Sequence, residues 1–172
     1  MAIKYEDLVK FAEDKGVNIK SRQEVKYGAY NIWLTKPELD FGYKIYTDEH
    51  LHPRSLIRDG EDADLFSDTD LDKMYTLVVA AYELGCHPKP IEIFKEGVIS
   101  GIKIKKANPA TEELYNDRSR HIDFEGLKSH LSDSIIQYII DKNRIHNYGE
   151  IDGKIVIIDF DRCTLNHYKG AN

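Results

Sequence analysis

The stretch I-I-D-K-N-R-I-H-N-Y-G-E-I-D-G-K-I-V-I-I-D-F-D, running from Ile139 to Asp161, decides how this chain folds. Upstream of it, Leu127, Leu131, Ile135, Tyr138 and Ile139 recur at helical spacing and predict a helix beginning near Asp123. Within it, Asp152-Gly153 is a two-residue turn signal that sends the chain into the β-run K-I-V-I-I-D-F. Asp159 follows four branched apolar residues, a position where a carboxylate is costly to bury without a partner. It is therefore read as functional.

Working outward, Tyr5, Leu8, Val9 and Ala12 predict a short amphipathic helix that stops at Gly16. The runs Val25 to Leu34 and Phe41 to Tyr46 are rich in aromatic and branched residues and predict a β-hairpin. Residues 47 to 66 read as a long loop. A helix capped near Ser67 to Asp70 then reaches Gly85. Pro88-Lys-Pro90 forces an extended entry into Ile91 to Phe94, a Glu96-Gly97 turn follows, and the run from Val98 returns as a partner strand that Asn108-Pro109 ends. Strands in hairpins separated by helices predict an α+β fold rather than a doubly wound parallel sheet. The expected division is residues 1–107, a sheet region with helices, and 108–172, a smaller region.

Among 172 residues, 41% apolar and 31% charged with eleven Tyr and six Phe describe an ordered globular chain. No window approaches the roughly 18 apolar residues of a membrane span, and Met1 to Asp7 lacks the apolar core of a signal peptide, so a cytoplasmic setting is expected. Cys86 and Cys163 read as free thiols. A net charge of −6 argues against direct nucleic-acid binding. Asp59 to Asp72 carries seven acids and no base, which suits either a solvated helix start or a surface that docks on a basic protein partner. His50-Leu-His52 could supply metal ligands, although a loop running into Pro53 is a poor platform for them.

Phosphoryl transfer needs a cation on the phosphates, oxygen ligands for Mg²⁺ and a carboxylate to orient the attacking hydroxyl. The chain offers Lys44 in G-Y-K-I-Y, Asp159 in I-I-D-F-D, and Asp141 with Asn147 just upstream. Tyr43-Lys44-Ile45 resembles the V-A-I-K strand of protein kinases, and a turn containing Gly28 precedes it. Val98 to Ala107 resembles the strand leading to the adenine-holding hinge, Asp141 to Asn147 the catalytic loop, and Asp159-Phe160-Asp161 the Asp-Phe-Gly element. From Val25 to Arg162 the chain is thus similar to the protein-kinase-like superfamily, in particular its atypical, aminoglycoside-phosphotransferase-like and lipopolysaccharide-kinase-like branches.

That resemblance implies ATP and Mg²⁺ as cofactors. Lys44 would pair with the α and β phosphates, Asp141 would be the catalytic carboxylate, Asn147 and Asp159 would hold Mg²⁺, and Gly28 and Ala107 would contact the nucleotide. It also implies an N-lobe-like sheet with its helix and a reduced C-lobe truncated after Asp161. The pattern has departures: Gly28 stands without the other loop glycines, Ile139-Ile140 replaces His-Arg, five residues separate Asp141 from Asn147, and Asp161 replaces the last glycine. Two functions are expected from this balance. One is a minimal ATP-dependent phosphotransferase, and the other a catalytically inactive, pseudokinase-like binding or inhibitor protein, with a mobile-element origin as one option, that engages a partner through its acidic surface.

Overall fold

A computed structural model describes residues 2–17, 26–27, 31–48, 63–141 and 144–171. The expected α+β class holds. The chain forms two compact units, one of residues Met1–Asp72 with Ile91–Ile104, the other of Lys73–Pro90 with Lys105–Asn172.

In the first unit, β1 (Ala2–Ile3) leads into α1 (Tyr5–Asp14), whose start is held by Lys4 N–H donating to Asp7 Oδ2 at 2.9 Å. α1 buries Leu8, Phe11 and Ala12, and Gly16 with φ 73° ends the turn after it, as only a residue without Cβ does cheaply. β2 (Lys26–Tyr27), β3 (Asn31–Leu34) and β4 (Phe41–Tyr46) follow. The single strand expected over Val25 to Leu34 is instead two, because Lys26 pairs with Trp33 and Tyr27 with Ile32 in antiparallel register. Its aromatic content suits two strands as well as one, so composition could not separate them. β4 pairs antiparallel with β3, setting Lys44 opposite Trp33.

β5 (Ala63–Asp64) pairs with β1, and α2 (Asp68–Glu83) starts where Ser67 Oγ accepts from Asp70 N–H at 3.1 Å. Gly85, φ 75°, closes α2 with Cys86 N–H bonded to the Ala81 carbonyl. β6 (Pro90–Glu96) and β7 (Ile99–Lys105) form the expected hairpin through Gly97. The resulting five-stranded sheet has the order β2-β3-β4-β7-β6. Its core gathers Phe11, Tyr43 and Phe94, with Phe11 stacked on Phe94 at 5.3 Å and edge-on to Tyr43 at 5.3 Å.

The second unit departs further from the expected elements. Asn108-Pro109 does not merely end a strand; it is β8, pairing with β9 (Tyr148–Ile151), and β9 pairs in turn with β10 (Lys154–Ile157). β8 lies at the edge of that three-stranded sheet, where a proline without N–H is tolerated. The connection after it forms α3 (Glu112–Asn116), capped by Thr111 Oγ1, and α4 (Arg118–His121). The one helix expected from Asp123 is split into α5 (Phe124–Leu127) and α6 (Asp133–Asp141). Leu131 instead bridges Tyr168 and Ser132 N–H bonds to the His167 carbonyl, long-range partners that the 3.6-residue period does not report. α7 (Arg162–Asn166) follows β10.

Among the described residues no helix is long and apolar enough to cross a membrane.

Candidate functional site

The geometry of the β9–β10 hairpin places the candidate site. Asp152 and Gly153 both have positive φ, 52° and 78°, which is the two-residue turn that matches strand twist. From that turn the register runs Ile151 with Lys154 through Tyr148 with Ile157. It extends one step further, because Ile158 N–H donates to the Asn147 carbonyl at 2.9 Å. Asn147 therefore lies opposite Ile158, and Asp159 is the next residue to leave the ladder. A turn chosen by Asp-Gly thus brings two residues twelve positions apart in sequence to the same end of the hairpin.

Asn147, Asp159 and Asp161 line one small pocket, walled by Ile135, Tyr138 and Ile139 of α6 and by Cys163 and Thr164. Its cavity volume is about 20 Å³. That is room for one water or a bare cation and far below the volume of a nucleoside. The donor set is an amide and two carboxylates, all hard oxygen ligands of the type Mg²⁺ takes when phosphate and water oxygens complete its shell. Asn147 Nδ2 is buried without a hydrogen-bond partner. Exchanging the amide oxygen and nitrogen, which are near-isosteric, would put an acceptor at that position. The residues present fit the ion that the sequence resemblance implies.

Asp161 has a second task. It is the N-cap of α7, with Oδ1 accepting from Thr164 N–H at 3.1 Å while its own N–H donates to Thr164 Oγ1 at 3.2 Å. The Asp161-x-x-Thr164 spacing was a legible signal for that helix. Phe160 between the two acids is fully buried, its ring 5.1 Å from that of His87, and Ile157 N–H bonds to the Cys86 carbonyl at 2.7 Å. The exit from α2 thus holds the Asp159-Phe160-Asp161 run in place.

The other candidates are placed as follows. Asp141 is the last residue of α6, exposed, and accepts from Gln137 Nε2 at 2.9 Å; it does not line the pocket. Lys44 belongs to the first unit, is only 4% exposed on β4, and carries its Nζ 5.3 Å from the Tyr46 ring. Ala107 is half-buried between β7 and β8, where an added Cβ at Gly149 would come within 2.7 Å of its methyl. Gly28, His50, His52 and the acids from Asp59 to Asp62 lie outside the described residues. Among those described, no three His, Cys, Asp or Glu side chains are grouped to hold a metal ion.

No family model, curated protein or solved structure matches this chain.

Both cysteines are free thiols, and they differ in surroundings. Cys163 is exposed beside the pocket, whereas Cys86 is fully buried and desolvation pushes its thiol from 9.0 up to about 11. Iodoacetamide at pH 8 is expected to label Cys163 in the native protein and both residues after unfolding, as read by mass spectrometry. Because the folded state holds the Cys86 proton more tightly, its contribution to stability is complete below pH 9 and is lost as pH rises through about 11. Urea midpoints should fall over that interval, less steeply for Cys86→Ala. An equal slope in the two proteins would remove this assignment.

Proposed function

We propose that this chain is a minimal kinase-like phosphotransferase that binds ATP with Mg²⁺. The observation that carries the proposal is the convergence of Asn147 and Asp159 on one cation-sized pocket. Those are the two residues that the kinase pattern assigns to the metal. Lys44 on the third strand of the five-stranded sheet, with α2 following, adds support, since the kinase lysine occupies the third strand ahead of a helix. In this scheme Asn147 and Asp159 would hold Mg²⁺, which would neutralise charge on the transferring phosphoryl group. By the kinase pattern Lys44 would bind the α and β phosphates, Asp141 would orient the attacking hydroxyl and Ala107 would contact the nucleotide, the role expected also of Gly28, which lies outside the described residues.

Calorimetric titration tests the proposal. ATP is expected to bind only with Mg²⁺ present, and Lys44→Ala to weaken binding roughly 10- to 100-fold, about 1.4–2.7 kcal/mol. Absence of any ATP binding with Mg²⁺ would sink it. One observation favours a second reading, in which nucleotide binds without transfer and the protein acts as a partner-binding inhibitor: Asp141 is a solvated helix end outside the pocket. Autophosphorylation that disappears in Asp141→Asn decides for the enzyme; its absence in the wild type, with ATP bound, decides for the binder.

A further inference from the structure

α6 ends at Asp141, and the last carbonyls of any helix lack intrahelical donors. Here two side chains supply them. Arg118 Nη2 donates to the Ile140 carbonyl at 2.8 Å, and the Tyr148 hydroxyl donates to the Ile139 carbonyl at 2.8 Å. Arg118 is itself pinned, with Nη1 donating to the Tyr115 carbonyl at 2.9 Å and its guanidinium 4.2 Å from the Tyr115 ring and 5.7 Å from the Tyr148 ring. No carboxylate pairs with Arg118 among the described residues, and its Nε is buried without a partner. A half-buried guanidinium committed to carbonyls and aromatic faces is doing the work of a rigid bracket, which lysine cannot copy.

The bracket reaches the candidate site directly. Ile139 and Tyr148, one contributing a capped carbonyl and the other the capping hydroxyl, both line the cation pocket, and Tyr148 is the neighbour of Asn147. We infer that Arg118, acting through Tyr148 and the end of α6, is a positioning residue that sets the Asn147 amide for the cation. This inference rests on the function proposed above. The cost of losing such an outer partner at a metal site is on the order of 10- to 100-fold in affinity.

The test is a double-mutant cycle on Mn²⁺ binding in the presence of ATP, read by calorimetry, with thermal midpoints recorded for every variant. Arg118→Met is expected to lower cation affinity about 10-fold, with little rescue in Arg118→Lys, and to cause no further loss in an Asn147→Ala background. A purely structural arginine would instead lower the midpoint while leaving affinity within about twofold, or would add its effect to that of Asn147→Ala; either result overturns the inference. A metal-free readout keeps it separable from the proposed function. The side-chain amide resonances of Asn147 are expected to shift in both Arg118→Met and Tyr148→Phe. If the wild type takes up no cation, the proposed function falls, while shifted Asn147 resonances still support positioning and unshifted ones reject it.

Discussion

Asp159→Ala is expected to abolish Mg²⁺-dependent ATP binding, a loss of 100-fold or more, which is about 2.7 kcal/mol or greater. The size follows from the composition of the pocket. Asp159 and Asp161 are the two carboxylates that line it, and Asp161 commits one oxygen to capping α7. Mg²⁺ keeps several waters and is held by one or two carboxylates plus substrate phosphates. On the proposed function, removing Asp159 would take away one of the two carboxylates that could hold the ion. Asp159→Asn should recover little, because a neutral amide replaces the charge and not only the lone pair. Calorimetry with ATP, with and without Mg²⁺, measures both variants. Asp159→Ala retaining wild-type affinity would dismiss the pocket as the metal site.

Gly101→Ala should cost roughly 3 kcal/mol of stability or prevent folding altogether. A Cβ at that position would overlap the Lys44 carbonyl oxygen and stand 2.8 Å from Phe94 Cζ. The first neighbour is backbone in the adjoining strand β4, so no side-chain rotation relieves the clash and β7 must separate from β4. Gly97→Ala is the control. Its φ of 59° strains an alanine, yet nothing lies within 4 Å of the added methyl, so about 1 kcal/mol is expected. Urea unfolding of both variants gives the comparison. Because the strand displaced by Gly101→Ala is the one that carries Lys44, any folded fraction should also bind ATP more weakly. Equal midpoints for the two variants would mean that β4 and β7 do not approach closely at Gly101.

The parts of the molecule that were legible in advance share one property, which is that a few adjacent residues specify them. Asp152-Gly153 demands a turn with two positive φ values, and that turn fixes the hairpin register. The register then carries Asn147 and Asp159 to one end of the ladder. Ser67, Gly85 and Gly97 likewise announce a cap, a helix stop and a turn through local hydrogen bonding or freedom from Cβ. What stayed hidden depends on distant partners. Leu127 to Ile139 has the period of one helix, yet the chain breaks at Leu131 because a bridge to Tyr168 and a bond from Ser132 to His167 satisfy its backbone better there. Arg118 sits in a polar stretch with nothing around it in sequence to mark it, and its role exists only because the ends of α6 and β9 meet it.

Residue order alone therefore determined the α+β class and the helices and hairpins set by caps and turns, because short-range sterics and hydrogen bonds decide these. The tertiary structure decided the order of strands in the five-stranded sheet, the burial of Lys44, the second task of Asp161 in starting α7 and the bracket around the end of α6. Each of those depends on which surfaces meet across the chain, and a residue's local pattern carries no record of the partner it will meet.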